Sequence, residues 1–176
     1  MVTIFRFTVV LISSALFGTS YHDVGASART PTMQSARAAG FRCPVTRPNG
    51  KRVSEEPARD HYGNDALVTV LWREGKVVFK PGGAGLVLPD GALSMKFGWW
   101  RLAHGQLTID GRRLDSPAPP LRASIPDGYG ETGFQSTAMI FPTPGCWEVT
   151  GHLGDAELTF VTLVEKIGNG PVHRTP

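Results

Sequence analysis

Few residues in this chain have the type and spacing to do chemistry. Five histidines, His22, His61, His104, His152 and His173, are scattered without a close pair or a Met-rich run. Metal sites need convergent donors, so no metal and no cofactor is expected. Two of these histidines sit in turn-like sequence, Ala103-His104-Gly105 and Gly151-His152-Leu153. Processing that left His22 first would create an amine-plus-imidazole site, but cleavage after Tyr21 does not fit the small-residue rule. No Gly-x-Ser-x-Gly elbow surrounds Ser94, Ser124 or Ser136. The carboxylates Asp110 and Asp115, and Asp127 and Glu131, lie in turn-like sequence, where such acids cap backbone N–H groups. The glycines of Pro81-Gly82-Gly83-Ala84-Gly85 lack the Lys-Ser/Thr and the helix of a phosphate cradle. No catalytic residue is expected, and an enzyme is the least favoured reading.

Recognition chemistry has better material. Trp99 and Trp100 are neighbours in a strand-like run, so one ring points inward and the other outward. An outward tryptophan near Arg101, Tyr129 or Phe134 could stack on a sugar ring or a peptide, an apolar face with a polar rim. Trp99, Trp100, Arg101, Tyr129 and Phe134 are therefore the candidate ligand-binding residues. The competing reading covers that ring with the Pro-rich connection 117–120. Trp72 and Trp147 are assigned to the core.

The elements that must position these residues are strands. Glycine and proline (21 and 14 of 176 residues) together exceed the usual combined share of about 12%, as many short strands joined by turns require. Runs 66–72 and 76–80 are β-branched and aromatic, and Arg73-Glu74-Gly75 between them predicts a hairpin. Further strands are expected at 86–88, 92–101 and 134–141. Asp110-Gly111, a favoured two-residue hairpin turn, predicts strands at 107–109 and 112–114. The Pro-rich segment 115–120 cannot pair inside a sheet and is read as a surface connection. Residues 146–151 and 157–164 form a closing hairpin. Seven to nine strands at this spacing predict an all-β, immunoglobulin-like antiparallel β-sandwich, with a closed β-barrel as the alternative.

Cys43 and Cys146 are the only cysteines. The N-terminus carries Arg6 and then a short apolar run followed by small residues, the pattern of a secretory signal peptide. The run is too short to span a membrane, so no stable span is expected after processing. In an exported chain an even cysteine count predicts a disulfide, with two free thiols as the alternative. In the strand from Cys146, alternation puts Trp147, Val149 and Gly151 on one face and Cys146, Glu148 and Thr150 on the other. The apolar set should face the core, so a bridge to Cys43 would strap the N-terminal segment across the outside of the sheet. The expected organisation is a signal peptide over 1–27, a leader and strap over 28–61, the sandwich over 62–167 and a disordered tail over 168–176. The net charge is only +3 and the basic residues are scattered, which excludes a nucleic-acid partner.

Phe141-Pro142-Thr143-Pro144-Gly145-Cys146-Trp147-Glu148-Val149-Thr150-Gly151, followed by Leu158-Thr159-Phe160-Val161, resembles the last two strands of secreted bacterial immunoglobulin-like domains, including the copper-resistance CopC-like group. The resemblance covers about 25 residues and its motifs are structural. It implies an immunoglobulin-like fold, export, and copper or metal handling as the alternative function. The favoured function is a secreted or periplasmic, non-enzymatic binding domain whose partner is a protein or a cell-wall glycan.

Overall fold

A computed structural model describes residues 40–54 and 58–171. The signal-peptide and leader readings over 1–39, the end of the tail from 172, and His22 and His173 lie outside the described residues. Among these there are ten strands and one 3-10 turn: β1 (His61–Gly63), β2 (Leu67–Val70), β3 (Lys76–Phe79), β4 (Leu86–Val87), β5 (Leu93–Arg101), β6 (Leu107–Arg113), β7 (Arg122–Ser124), β8 (Gly133–Phe141), β9 (Gly145–Leu153) and β10 (Ala156–Lys166). Seven of them have four residues or more, and the short β1, β4 and β7 bring the total above the expected nine.

The strands form two sheets, β1-β2-β5-β8-β7 with β4 on the β5 edge, and β3-β10-β9-β6. They do not close into a barrel. The order β2-β5-β8-β7 facing β6-β9-β10 is that of the ABED and CFG sheets of an immunoglobulin-like sandwich. One strand is added: β3 runs parallel to β10, with Leu163 opposite Lys76.

Two expected hairpins are corrected. β2 and β3 do not pair; they belong to opposite sheets. The link between them is a 3-10 turn in which Glu74 (φ 58°) and Gly75 (φ 67°) are both left-handed, and this swings the chain across the sandwich. Asp110-Gly111 is no turn either, since β6 runs straight through it and pairs with β9 from Leu107 to Arg113. Gly111 is there for space: a Cβ would lie 2.6 Å from the Glu148 carbonyl.

Alternation decides the core. On β5, Leu93, Met95, Phe97 and Trp99 point inward, and on β9 Trp147 and Val149 do. Phe97 stacks on Phe160 of β10 at 5.4 Å between ring centres, and Trp99 lies 6.1 Å from the same ring. Buried threonines satisfy their hydroxyls on nearby carbonyls: Thr69 donates to Gly98, Thr137 to Phe97 and Thr162 to Gly75. Each such bond avoids the cost of a buried, unpaired hydroxyl.

Cys43 and Cys146 are joined, with their Cα atoms 5.4 Å apart. Cys146 shares the outward parity of Glu148 and Thr150, yet it is buried because the strap covers it. From Cys43 the strap crosses to the β10 edge, where the Thr46 N–H donates to the Val161 carbonyl (2.9 Å) and the Val161 N–H to Thr46 Oγ1 (2.8 Å). It then reaches the free edge of β1. There the Asn49 side chain imitates a peptide: its Nδ2 donates to the Gly63 carbonyl (2.8 Å) and its Oδ1 accepts from the Gly63 N–H (3.1 Å). An exposed ladder is thereby closed. At the other end, residues 168–171 follow β10 with a turn in which Gly170 is buried and donates to the Ile167 carbonyl.

The start of β9 is held by a carboxylate. Asp115 Oδ1 accepts from Arg113 Nε (2.7 Å) and from the Cys146 N–H (3.2 Å). Chiefly the hydrogen bond from Arg113, helped by the Cys146 N–H and opposed by partial burial, holds this carboxyl below its ordinary range. A lowered folded-state pKa stabilises the protein above the unfolded-state value, and that contribution is lost as pH falls through the folded one. Asp115→Asn should therefore cost on the order of 1 kcal/mol at neutral pH and little at a pH well below the ordinary carboxylate range. Urea midpoints for both proteins at the two pH values check this; an equal difference at both would refute the charge-based account.

Candidate functional site

The candidate residues separate into three places. Trp99 is fully buried in the core and touches no surface, so it is withdrawn as a contact residue. Trp100 is the outward ring. It lies 5.0 Å from the His61 ring and 5.1 Å, edge-on, from Phe134, on the outer face of the β5–β8 sheet. Phe134 is 48% exposed and sits over Gly98, whose missing Cβ leaves room for the ring. These two aromatic neighbours flank the ring, and Ala118 of the Pro-rich connection packs against the core. Arg101 and Tyr129 belong elsewhere, at the end of the sandwich.

That end carries a cleft of about 590 Å³ between the β5–β6 turn, the start of β6 and the loop 125–133. Its size is in the range of small-molecule sites. Arg101 and Gln135 lie at its base, Leu107 and Ile125 supply apolar wall, and Tyr129 stands at the rim.

Arg101 is the last residue of β5 and falls on the core face after Leu93, Met95, Phe97 and Trp99. Only 4% exposed, it makes no ion pair among the described residues. Its terminal nitrogens donate to the carbonyls of Gly105 (3.4 Å), Tyr129 and Gly130 (2.9 Å each). Two successive carbonyls on one nitrogen require an abrupt chain reversal, which Gly130 supplies at φ 67°. A Cβ there would meet nothing, so this glycine serves conformation rather than space. Arg101 thus ties both loops to the sandwich while its Nε–H finds no acceptor.

Gln135 occupies the equivalent core-facing parity on β8 and is 6% exposed. It pairs with Trp99 in the ladder while Arg101 pairs with Gly133, so Arg101 and Gln135 are diagonal neighbours. Gln135 Nε2 donates to the Pro126 carbonyl (3.0 Å), which fixes the amide's orientation, and Oε1 is unpaired. Above them His104 Nδ1 lies 3.0 Å from Glu131 Oε2, joining the turn to the loop across the opening. The base therefore holds one unused donor on a cation and one unused acceptor on a neutral amide.

No protein-family model matches this chain, and no curated protein matches it. The site is read from its geometry alone.

Sequence reasoning named Arg101 and Tyr129, as companions of an outward tryptophan, and did not name Gln135. A signal existed: Gln135 breaks the inward set Thr137, Met139 and Phe141, as Arg101 breaks that of β5. Polar residues at core parity near a strand end mark a site as well as aromatic exposure does. Among the described residues no group of three or more His, Cys, Asp or Glu side chains is arranged to hold a metal. His152 contacts Asp110 (2.6 Å) and Glu157 (3.1 Å) through its two ring nitrogens, a surface cluster of hydrogen bonds on β6, β9 and β10.

Proposed function

We propose that this chain is an exported, non-enzymatic binding domain that takes its ligand into the cleft at the loop end of the sandwich. One observation carries the reading: Arg101 and Gln135, both buried at the base of the cleft, keep one unpaired donor and one unpaired acceptor. Leaving a buried polar group unpaired costs about 1–3 kcal/mol, so two together at the base of a cleft favour a ligand that pairs them. The placement on loops carried by a rigid sandwich is where binding residues concentrate. Export is supported by the signal-like N-terminus and by a disulfide of the kind that persists in oxidising compartments. No helix among the described residues is long and apolar enough to cross a membrane. The resemblance of the closing hairpin to secreted bacterial immunoglobulin-like domains agrees with this reading.

The test is amide chemical-shift mapping of the folded chain against soluble oligosaccharides and short peptides. A ligand should move resonances in 102–106 and 125–133. A saturable footprint confined to His61, Trp100 and Phe134 would transfer the function to the outer face of the sheet.

A further inference from the structure

We propose that the ligand is a neutral sugar, held by hydroxyl groups at the Arg101–Gln135 base and by a ring face against Tyr129. This rests on the cleft reading above and names the ligand's chemistry.

The base selects among ligand classes by what each can offer. Arg101 Nε–H needs an acceptor, and Gln135 Oε1 needs a donor. A carboxylate satisfies the arginine but has no donor to offer Gln135 Oε1. The glutamine cannot turn over to relieve this, because its Nε2 is committed to the Pro126 carbonyl; inverted, it would set oxygen against oxygen. An ammonium group is repelled by the guanidinium. A trans peptide directs its N–H and C=O to opposite sides, so one peptide unit cannot meet both groups. A hydroxyl accepts and donates through the same oxygen. A sugar, with hydroxyls on neighbouring carbons, therefore offers each of the two groups the kind of partner it needs.

The walls agree. Tyr129, 36% exposed, offers a ring for the apolar face of a pyranose. Around it Gln106, Thr108, Asp127 and Glu131 present polar groups suited to the outer hydroxyls. The two unpaired atoms are themselves buried within residues that line the cleft, so the loop residues above them, 127–131, yield slightly as the sugar enters while Pro126 keeps its bond to Gln135. Gly128, Gly130 and Gly133, all at positive φ, set the course of that loop. Relief of the two unpaired groups then supplies affinity that a rigid, already satisfied base would lack.

The experiment is nitrogen-edited NMR of the folded chain, including the Arg101 Nε–H and Gln135 side-chain amide signals. The probes are methyl α- and β-glucoside, maltose, cellobiose and di-N-acetylchitobiose, each compared with sodium acetate and a blocked dipeptide. At least one sugar should shift both side-chain signals saturably, while acetate and the dipeptide do not. Gln135→Leu should weaken that sugar by about tenfold. Tyr129→Ala, at the exposed rim, should weaken it severalfold without moving the thermal midpoint, and so tests the proposal even if the buried variant folds poorly. Saturable binding of acetate or the dipeptide at these residues, with every sugar silent, overturns the sugar assignment and leaves the cleft reading standing. Silence of every probe removes both.

Discussion

Replacing both cysteines, Cys43→Ala with Cys146→Ala, is expected to lower unfolding free energy by about 3–5 kcal/mol and the thermal midpoint by roughly 10 °C. The bridge closes a loop with a sequence separation of 103 residues. Chain entropy alone assigns about 4.7 kcal/mol to a loop of this size, and native bridges generally fall at or below that figure. The double variant is the right one, because a single replacement leaves an unpaired thiol under the strap. The structure adds a local expectation. The strap's hydrogen bonds at Val161 close the β10 edge beside the start of β3. Without the bridge the strap is held by these bonds, those of Asn49 and Gly50, the contacts of Lys51 with His61 and Asp65, and the packing of Val45 on Gly75. Amide exchange at Val161 should therefore accelerate more than at Val149, deep in the same sheet. Denaturant titration and hydrogen exchange read the two effects separately. A loss under 1 kcal/mol, with Val161 still protected, would show that the strap folds on its own contacts.

That bridge also shows what could be read from the sequence. Parity along one strand put Trp147 and Val149 inside and Cys146 outside, and the same rule separated Trp99 from Trp100. Both inferences needed only the two-residue period of a strand. The closing hairpin was legible too, because Gly154 and Asp155 separate two long runs that pair from Leu153 and Ala156 onward. Sheet membership was not. Nothing in the composition of 66–80 distinguishes a hairpin from a crossing between sheets; the difference lies in two left-handed residues at Glu74 and Gly75. Asp110-Gly111 failed for a related reason. The dipeptide permits a tight turn without requiring one, and here the glycine admits the Glu148 carbonyl and the Leu121 side chain. The site was half legible. Exposed aromatics drew attention to Trp100 and Phe134, while the cleft is built by two polar residues at core parity whose partners come from loops distant in sequence. Arg101 and Tyr129 were named for stacking; the structure gives Arg101 a different role, as the tether of both loops.

The largest single-residue effects should come from the contact between Trp99 and Gly151, at the centre of the sandwich. Trp99 is fully buried, and the far edge of its indole lies where a Cβ on Gly151 would be, 2.6 Å from Cζ3 and 2.7 Å from Cη2. Gly151 has no positive φ, so its conformation admits any residue and the restriction is one of space. Gly151→Ala should cost about 1–3 kcal/mol by overpacking, and Trp99→Ala about 3–5 kcal/mol by leaving a cavity. Trp99→Phe should cost less than its lost volume suggests, because the indole Nε1–H is buried without a partner and its removal recovers part of the loss. The informative experiment combines the two sites. Phenylalanine lacks the indole's second, fused ring, whose far edge meets residue 151, so Gly151→Ala placed in the Trp99→Phe protein should cost at least 1 kcal/mol less than in the native one. Chemical denaturation of the four proteins gives that coupling directly. Strict additivity would mean that the indole is free to move away from Gly151, and the tight packing of β5 on β9 would then not be what sets the spacing of the two sheets.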